Sequence, residues 1–137
     1  MHCDGILFDL DGTLWDSVDE IIYTWNQVLE EHHWFRPPIT RSEQESVMGL
    51  QMDEIARRLF PGYSFETQMD YMEQCIQKEN AYLRQHGGTL YPRLEETLKI
   101  LSKDHRLCIV SNCQKIYRGI FGSASVGAIF LRPSVLW

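Results

Sequence analysis

The stretch Gly5-Ile6-Leu7-Phe8-Asp9-Leu10-Asp11-Gly12-Thr13-Leu14 decides the fold. A short continuous apolar run ends at a carboxylate and a glycine-containing loop, the pattern of a buried strand of a parallel sheet, here Gly5 to Asp9. Side chains at i and i+2 of an extended chain point the same way, so Asp9 and Asp11 can face one small pocket unless the loop turns early. Two carboxylates that close need a cation or a proton between them, and a hard ion with oxygen ligands, magnesium, is the natural partner. Gly12 lets the backbone turn sharply, and Thr13 adds a hydroxyl and an N–H. A calcium loop of the EF-hand type would need Glu six residues after Gly12, where the chain has Val18.

Beyond this strand the pattern is helical. Ser17 and Glu20 have capping-box spacing, and Val18, Ile21, Ile22, Trp25, Val28 and Leu29 share one helical face, with Pro37-Pro38 ending the segment. Thr40 and Glu43 repeat the capping box before a short helix broken at Gly49. Met52 to Phe60 gives a third helix, stopped by Pro61-Gly62, and about Glu66 to about Gln85 a longer one that Gly87-Gly88 ends. Pro92 suits the first turn of a helix carrying Leu94, Leu98 and Leu101, and Arg106 to Ser111 reads as a second buried strand. A block of helices thus interrupts an α/β core: core at 1–15 and 88–115, helical insertion at 16–87, and a tail at 116–137 without assignment.

The run from Asp9 to Thr13 matches completely the Asp-x-Asp-Gly-Thr signature of haloacid dehalogenase-like phosphatases. The following helices look like the all-helical cap of the phosphoglycolate phosphatase and β-phosphoglucomutase branch, and Val110-Ser111-Asn112 looks like the family's second motif. The resemblance covers about residues 4 to 115 and implies a Rossmann-like α/β core, here partial, with a parallel sheet and an inserted cap. It implies that Asp9 is the nucleophile and forms an aspartyl-phosphate. It makes Asp11 the general acid and then the general base. The resemblance also implies that Mg2+ is held by the Asp9 carboxylate and the Asp11 carbonyl, and that Ser111 and Asn112, with the backbone around Gly12 and Thr13, donate to the phosphoryl oxygens. The implied substrate is a small phosphorylated metabolite. A phosphoryl-shifting mutase would use the same first motif.

Two further elements of the resemblance, a lysine and an acidic pair completing the metal site, have no counterpart in Ile116 to Trp137, which contains no Asp, Glu or Lys. That abrupt change leads us to expect an altered or truncated C-terminus after about residue 115, from a shifted reading frame or a fragmentary gene. We also expect weak metal affinity and low activity in this chain. The rival reading is a catalytically inactive fragment or an interaction module pairing through its sheet edge.

Composition sets outer bounds. The 137 residues carry a net charge of −6, which argues against non-specific nucleic-acid binding. None of Cys3, Cys75, Cys108 and Cys113 has CxxC spacing, so buried reduced thiols are expected. With no signal peptide and no apolar run of membrane-spanning length, we expect a cytoplasmic protein without a membrane partner. His32-His33 and Arg57-Arg58 read as solvated pairs. Tyr23, Trp25, Trp34 and Phe35 read as cap core, and Met48, Gly49 and Met52 as candidates for a specificity loop.

Overall fold

The computed structural model describes residues 4–110 apart from position 35. It divides into two compact units: one from the chain up to Ser17 and from His86 onward, the other Val18–Gln85. The tail expected at 116–137 lies outside the described residues.

In the first unit, strand β1 (Gly5–Phe8) pairs in parallel with a strand near the end of the described chain (Arg106–Ile109), Gly5 facing Arg106 and Phe8 facing Ile109. Between them run a two-residue strand β2 (Trp15–Asp16), antiparallel to β3 (Thr89–Leu90), and helix α5 (Leu94–Leu101). The strand at Arg106–Ile109 is β4. Its core comprises Leu10, Leu14, Trp15, Leu98, Leu107 and Ile109.

Four sequence readings need correction here. Among the described residues the strands are covered on one face only: Leu107 and Ile109 are buried while Leu7 is 71% and Val110 61% exposed. An apolar run is buried on both faces when elements pack on both, and the described residues form a sheet of two strands with one covered face. Pro92 lies in a turn ahead of α5, whose N-cap is Arg93 in the left-handed region at φ 62°. Tyr23, read as cap core, is 53% exposed. The β2–β3 ribbon was not anticipated.

The second unit holds four helices. α1 (Val18–Glu31) carries Asp19 and Glu20 in its first turn, where the helix dipole favours them. α2 (Arg41–Val47) starts with the capping box read from the sequence: the Thr40 side chain accepts from the Glu43 N–H while the Glu43 side chain accepts from the Thr40 N–H. α3 (Met52–Leu59) follows Gly49, whose φ of 78° ends the preceding turn. α4 (Phe65–His86) is the longest helix, and no helix among the described residues is long and apolar enough to cross a membrane. Val28, Leu29, Ile39, Val47, Ala56, Phe60, Met72 and Cys75 make one core cluster. Asn26 pins the incoming loop to α1, donating from Nδ2 to the Ile39 carbonyl at 3.0 Å and accepting the Ile39 N–H at 2.7 Å.

Several single residues follow their sequence reading. Trp25 is buried, Trp34 stacks on Tyr71 at 3.8 Å between centroids, and Arg57 and Arg58 are exposed and paired one turn back with Asp53 and Glu54. Cys75 is buried and Cys108 partly buried, both as free thiols.

α1 ends at Glu31, well before Pro37-Pro38, through a Schellman closure. The Trp34 N–H reaches the Leu29 carbonyl at 3.1 Å and the His33 N–H reaches the Glu30 carbonyl at 3.1 Å. His33 occupies the left-handed position at φ 51°, where glycine is usual. Relief of that strain exceeds the extra chain entropy of glycine, so His33→Gly is expected to raise stability by about 0.5–1 kcal/mol. Urea unfolding at constant m checks this; a loss of stability would show that the His33 side chain contributes more than its backbone costs.

Candidate active site

β1 delivers Asp9 at its C-terminal end, where open α/β sheets place catalytic groups. Parallel register brings the ends of β1 and β4 to the same edge, and the Val110 N–H still donates to the Phe8 carbonyl at 2.8 Å. Ser111 and Asn112, expected next along this edge, lie outside the described residues.

After Asp9 the chain winds around one carbonyl. Leu10 is fully buried, and its carbonyl accepts the N–H groups of Thr13 at 3.2 Å, Leu14 at 2.9 Å and Trp15 at 3.3 Å. Gly12 takes φ 73°, open to glycine without strain, and its N–H donates to the Trp15 carbonyl at 2.9 Å. The loop therefore turns early. The N–H groups of Gly12 and Thr13 have acceptors inside it, which leaves the Thr13 hydroxyl and the Asp11 N–H without a partner among the described residues.

The two carboxylates differ in setting. Asp9 is exposed, and its Oδ1 accepts the Leu10 N–H at 2.8 Å. Asp11 is partly buried, and its Oδ1 accepts from the Trp15 indole Nε1 at 2.8 Å and the Ser17 hydroxyl at 3.1 Å. Burial raises the Asp11 carboxyl above its ordinary value. The Trp15 and Ser17 hydrogen bonds partly oppose this, and repulsion from Asp9 adds to it. Two carboxyl groups whose settings differ in this way, one buried and hydrogen-bonded and one exposed, are the kind of pair that acid–base chemistry uses. The sequence did not reveal Trp15 and Ser17 as partners of Asp11. Ser17 carried only a helix-cap signal, and a tryptophan in a two-residue strand has no periodicity to expose it.

The raised Asp11 value has a consequence for stability. The folded state binds this proton more tightly than the unfolded state does. The group's stabilising contribution is therefore full below the ordinary carboxylate pKa and is lost as pH rises through the raised folded value. Asp11→Asn keeps an oxygen for Trp15 and Ser17 and removes the buried charge. In metal-free buffer it should flatten the fall in stability with rising pH and be the more stable chain at neutral pH. Parallel curves for the two chains would contradict the burial argument.

For Mg2+, the donors that fit are the outer Asp9 oxygen and the Asp11 carbonyl. No group of three or more His, Cys, Asp or Glu side chains able to hold a metal occurs among the described residues. Magnesium commonly uses one or two protein oxygens and keeps several waters, so this donor set suits it in kind.

This fold and loop place the protein in a recognised class. The family model for haloacid dehalogenase-like hydrolases matches residues 6–118, and the chain belongs to that family. It is 29% identical over 124 residues to the pyrophosphatase PpaX of Listeria welshimeri, covering 88% of this chain and 52% of that protein. With PpaX of Listeria innocua it is 28% identical over 123 residues, with the same coverage. The chain thus spans about half the length of the curated relatives it matches. Its fold resembles a solved structure described as a predicted phosphoglycolate phosphatase from Haemophilus somnus, with a TM-score of 0.74 and 21% identity over 96% of this chain and 61% of that one. It also resembles β-phosphoglucomutase from Clostridium difficile, with a TM-score of 0.71 and 18% identity over 93% of this chain and 59% of that one. The architecture is accordingly a partial Rossmann-like core of the haloacid dehalogenase type with helices.

Proposed function

We propose that this chain carries the nucleophile and acid of a cytoplasmic, magnesium-dependent phosphate-monoester hydrolase, with residues 16–87 as its helical cap. The observation that carries this reading is the unequal carboxylate pair on one locked loop: Asp9 exposed at the strand end, Asp11 partly buried with its carboxyl raised. Asp9 attacks phosphorus and forms an aspartyl-phosphate. Asp11 gives its proton to the departing oxygen and later takes one from the attacking water. The Asp11 N–H and the Thr13 hydroxyl, which have no partner among the described residues, donate to phosphoryl oxygens, with Gly12 allowing the approach. Ser111 and Asn112 supply further donors. Bound Mg2+, held through Asp9 and the Asp11 carbonyl, would neutralise charge on the phosphoryl group. The PpaX relatives make pyrophosphate a substrate to assay beside small phosphorylated metabolites.

The test is chemical trapping. The chain is mixed with a phosphomonoester and Mg2+ and quenched in acid, and the protein is digested and analysed for added phosphate. A hydroxylamine-sensitive phosphate on the peptide containing Asp9 supports the reading; hydrolysis with phosphate on no carboxylate sinks it. Transfer to a second hydroxyl of the substrate, rather than release, would favour the mutase chemistry of the structural neighbour.

A further inference from the structure

Trp15 is held on every side in a way that burial alone does not require. It is 2% exposed, and its backbone is tied to Leu10 and Gly12 and paired with Leu90 across the β2–β3 ribbon. Gly88 lies flush against the indole: a Cβ there would sit 3.0 Å from two ring carbons and 3.3 Å from the Asp16 carbonyl. The ring is thereby fixed with Nε1 2.8 Å from Oδ1 of Asp11. The Ser17 hydroxyl donates to the same oxygen, so one edge of the carboxyl takes both donors and the other takes none among the described residues.

We propose that Trp15, with Gly88 behind it, is a positioning residue for the phosphatase reaction. Its indole N–H holds the Oδ1 edge of Asp11, so that Oδ2 is the oxygen that meets the leaving group. The inference rests on the phosphatase reading and adds a residue to it. In the step concerned, an Asp9 oxygen bonds to phosphorus as the bond to the leaving oxygen breaks. That oxygen keeps the bonding pair and receives the proton from Oδ2. An indole donor suits this role because it cannot accept a hydrogen bond, and so cannot compete for the proton. A carboxyl free to rotate would present the proton-bearing oxygen part of the time, and misplacement of this size is costly in rate.

Leaving groups separate positioning from general damage. p-Nitrophenolate departs without needing a proton, whereas an alkoxide needs one. In the full chain, Trp15→Phe keeps a buried ring and loses the N–H. Gly88→Ala keeps the N–H and displaces the ring. Both variants should lose at least about tenfold more kcat/KM, which reports the leaving-group step alone, on glycerol 1-phosphate than on p-nitrophenyl phosphate, since a positioned acid contributes on the order of a hundredfold or more. Equal losses on the two esters would overturn the proposal in favour of a structural role. A second readout is the Trp15 indole resonance in 15N-tryptophan-labelled protein, identified by its loss in Trp15→Phe. It should shift and exchange faster with solvent in Asp11→Ala. A hydrolysing chain whose indole resonance ignores Asp11→Ala overturns this proposal alone, whereas a wild-type chain that turns over neither ester overturns it together with the phosphatase reading.

Discussion

Replacing Asp9 with Asn is expected to remove at least about a thousandfold of magnesium-dependent phosphomonoester hydrolysis, the scale of losing a catalytic nucleophile. The same change should leave stability within about 0.5 kcal/mol, as for an exposed substitution away from the core. Both expectations follow from one geometry. Asp9 is exposed, and its Oδ1 accepts the Leu10 N–H. An Asn side chain of the same shape can keep that bond. What it loses is a nucleophilic oxygen and the negative charge that would hold magnesium beside the Asp11 carbonyl. Steady-state assays with p-nitrophenyl phosphate and Mg2+, beside urea unfolding, measure both quantities. Undiminished turnover in Asp9→Asn would take Asp9 out of the chemistry. Loss of activity accompanied by loss of structure would make Asp9 a folding residue. A well-folded wild-type chain without turnover would favour the inactive reading, which the missing lysine and acidic pair in Ile116 to Trp137 already made the rival.

What could be read beforehand was what neighbouring residues decide among themselves. The Thr40–Glu43 box is complete within four residues, and it forms. The glycine-containing loop after Asp9 carries its own turn signal, and Gly12 takes the left-handed conformation that the spacing called for. Features set by distant partners were not legible. Two residues of β2 meet two residues of β3 with α1 to α4 between them in the chain, and two-residue strands have no period to detect. Whether the apolar run Ile6-Leu7-Phe8 is buried depends on what covers each face of the sheet, not on the run itself, which is why Leu7 came out exposed. The end of α1 was missed because His33 does what glycine usually does. At the candidate site the carboxylates were visible, but their inequality was not. It arises from Trp15 and Ser17 folding back onto Asp11, a contact that no spacing rule encodes.

The same limit applies to a buried polar contact within the helical unit. Glu79 lies 3% exposed near the middle of α4, and the buried indole of Trp25 donates to its Oε2 at 2.5 Å, joining α1 to α4. Cys75, one turn earlier on α4, registers this setting: burial first, and then the Glu79 charge, push its thiol up to about 12. A buried carboxylate that loses a hydrogen-bond donor keeps its desolvation cost with one compensating partner fewer. Trp25→Phe, which fills most of the same space but has no N–H, is therefore expected to destabilise the chain by about 1.5–3 kcal/mol, the range for a hydrogen bond to a charged group. Trp25→Ala adds a cavity for a total of at least about 3–5 kcal/mol, a large part of the stability of an ordinary domain. Urea unfolding of both variants measures these losses, and a cycle with Glu79→Gln isolates the pair. A coupling of about 1 kcal/mol or more is expected if the indole and the carboxylate act together. Trp25→Phe within about 0.5 kcal/mol of wild type would show that the pair contributes shape alone. Apolar packing would then carry the whole junction of α1 with α4, and Leu or Met at position 79 would be expected to stabilise it.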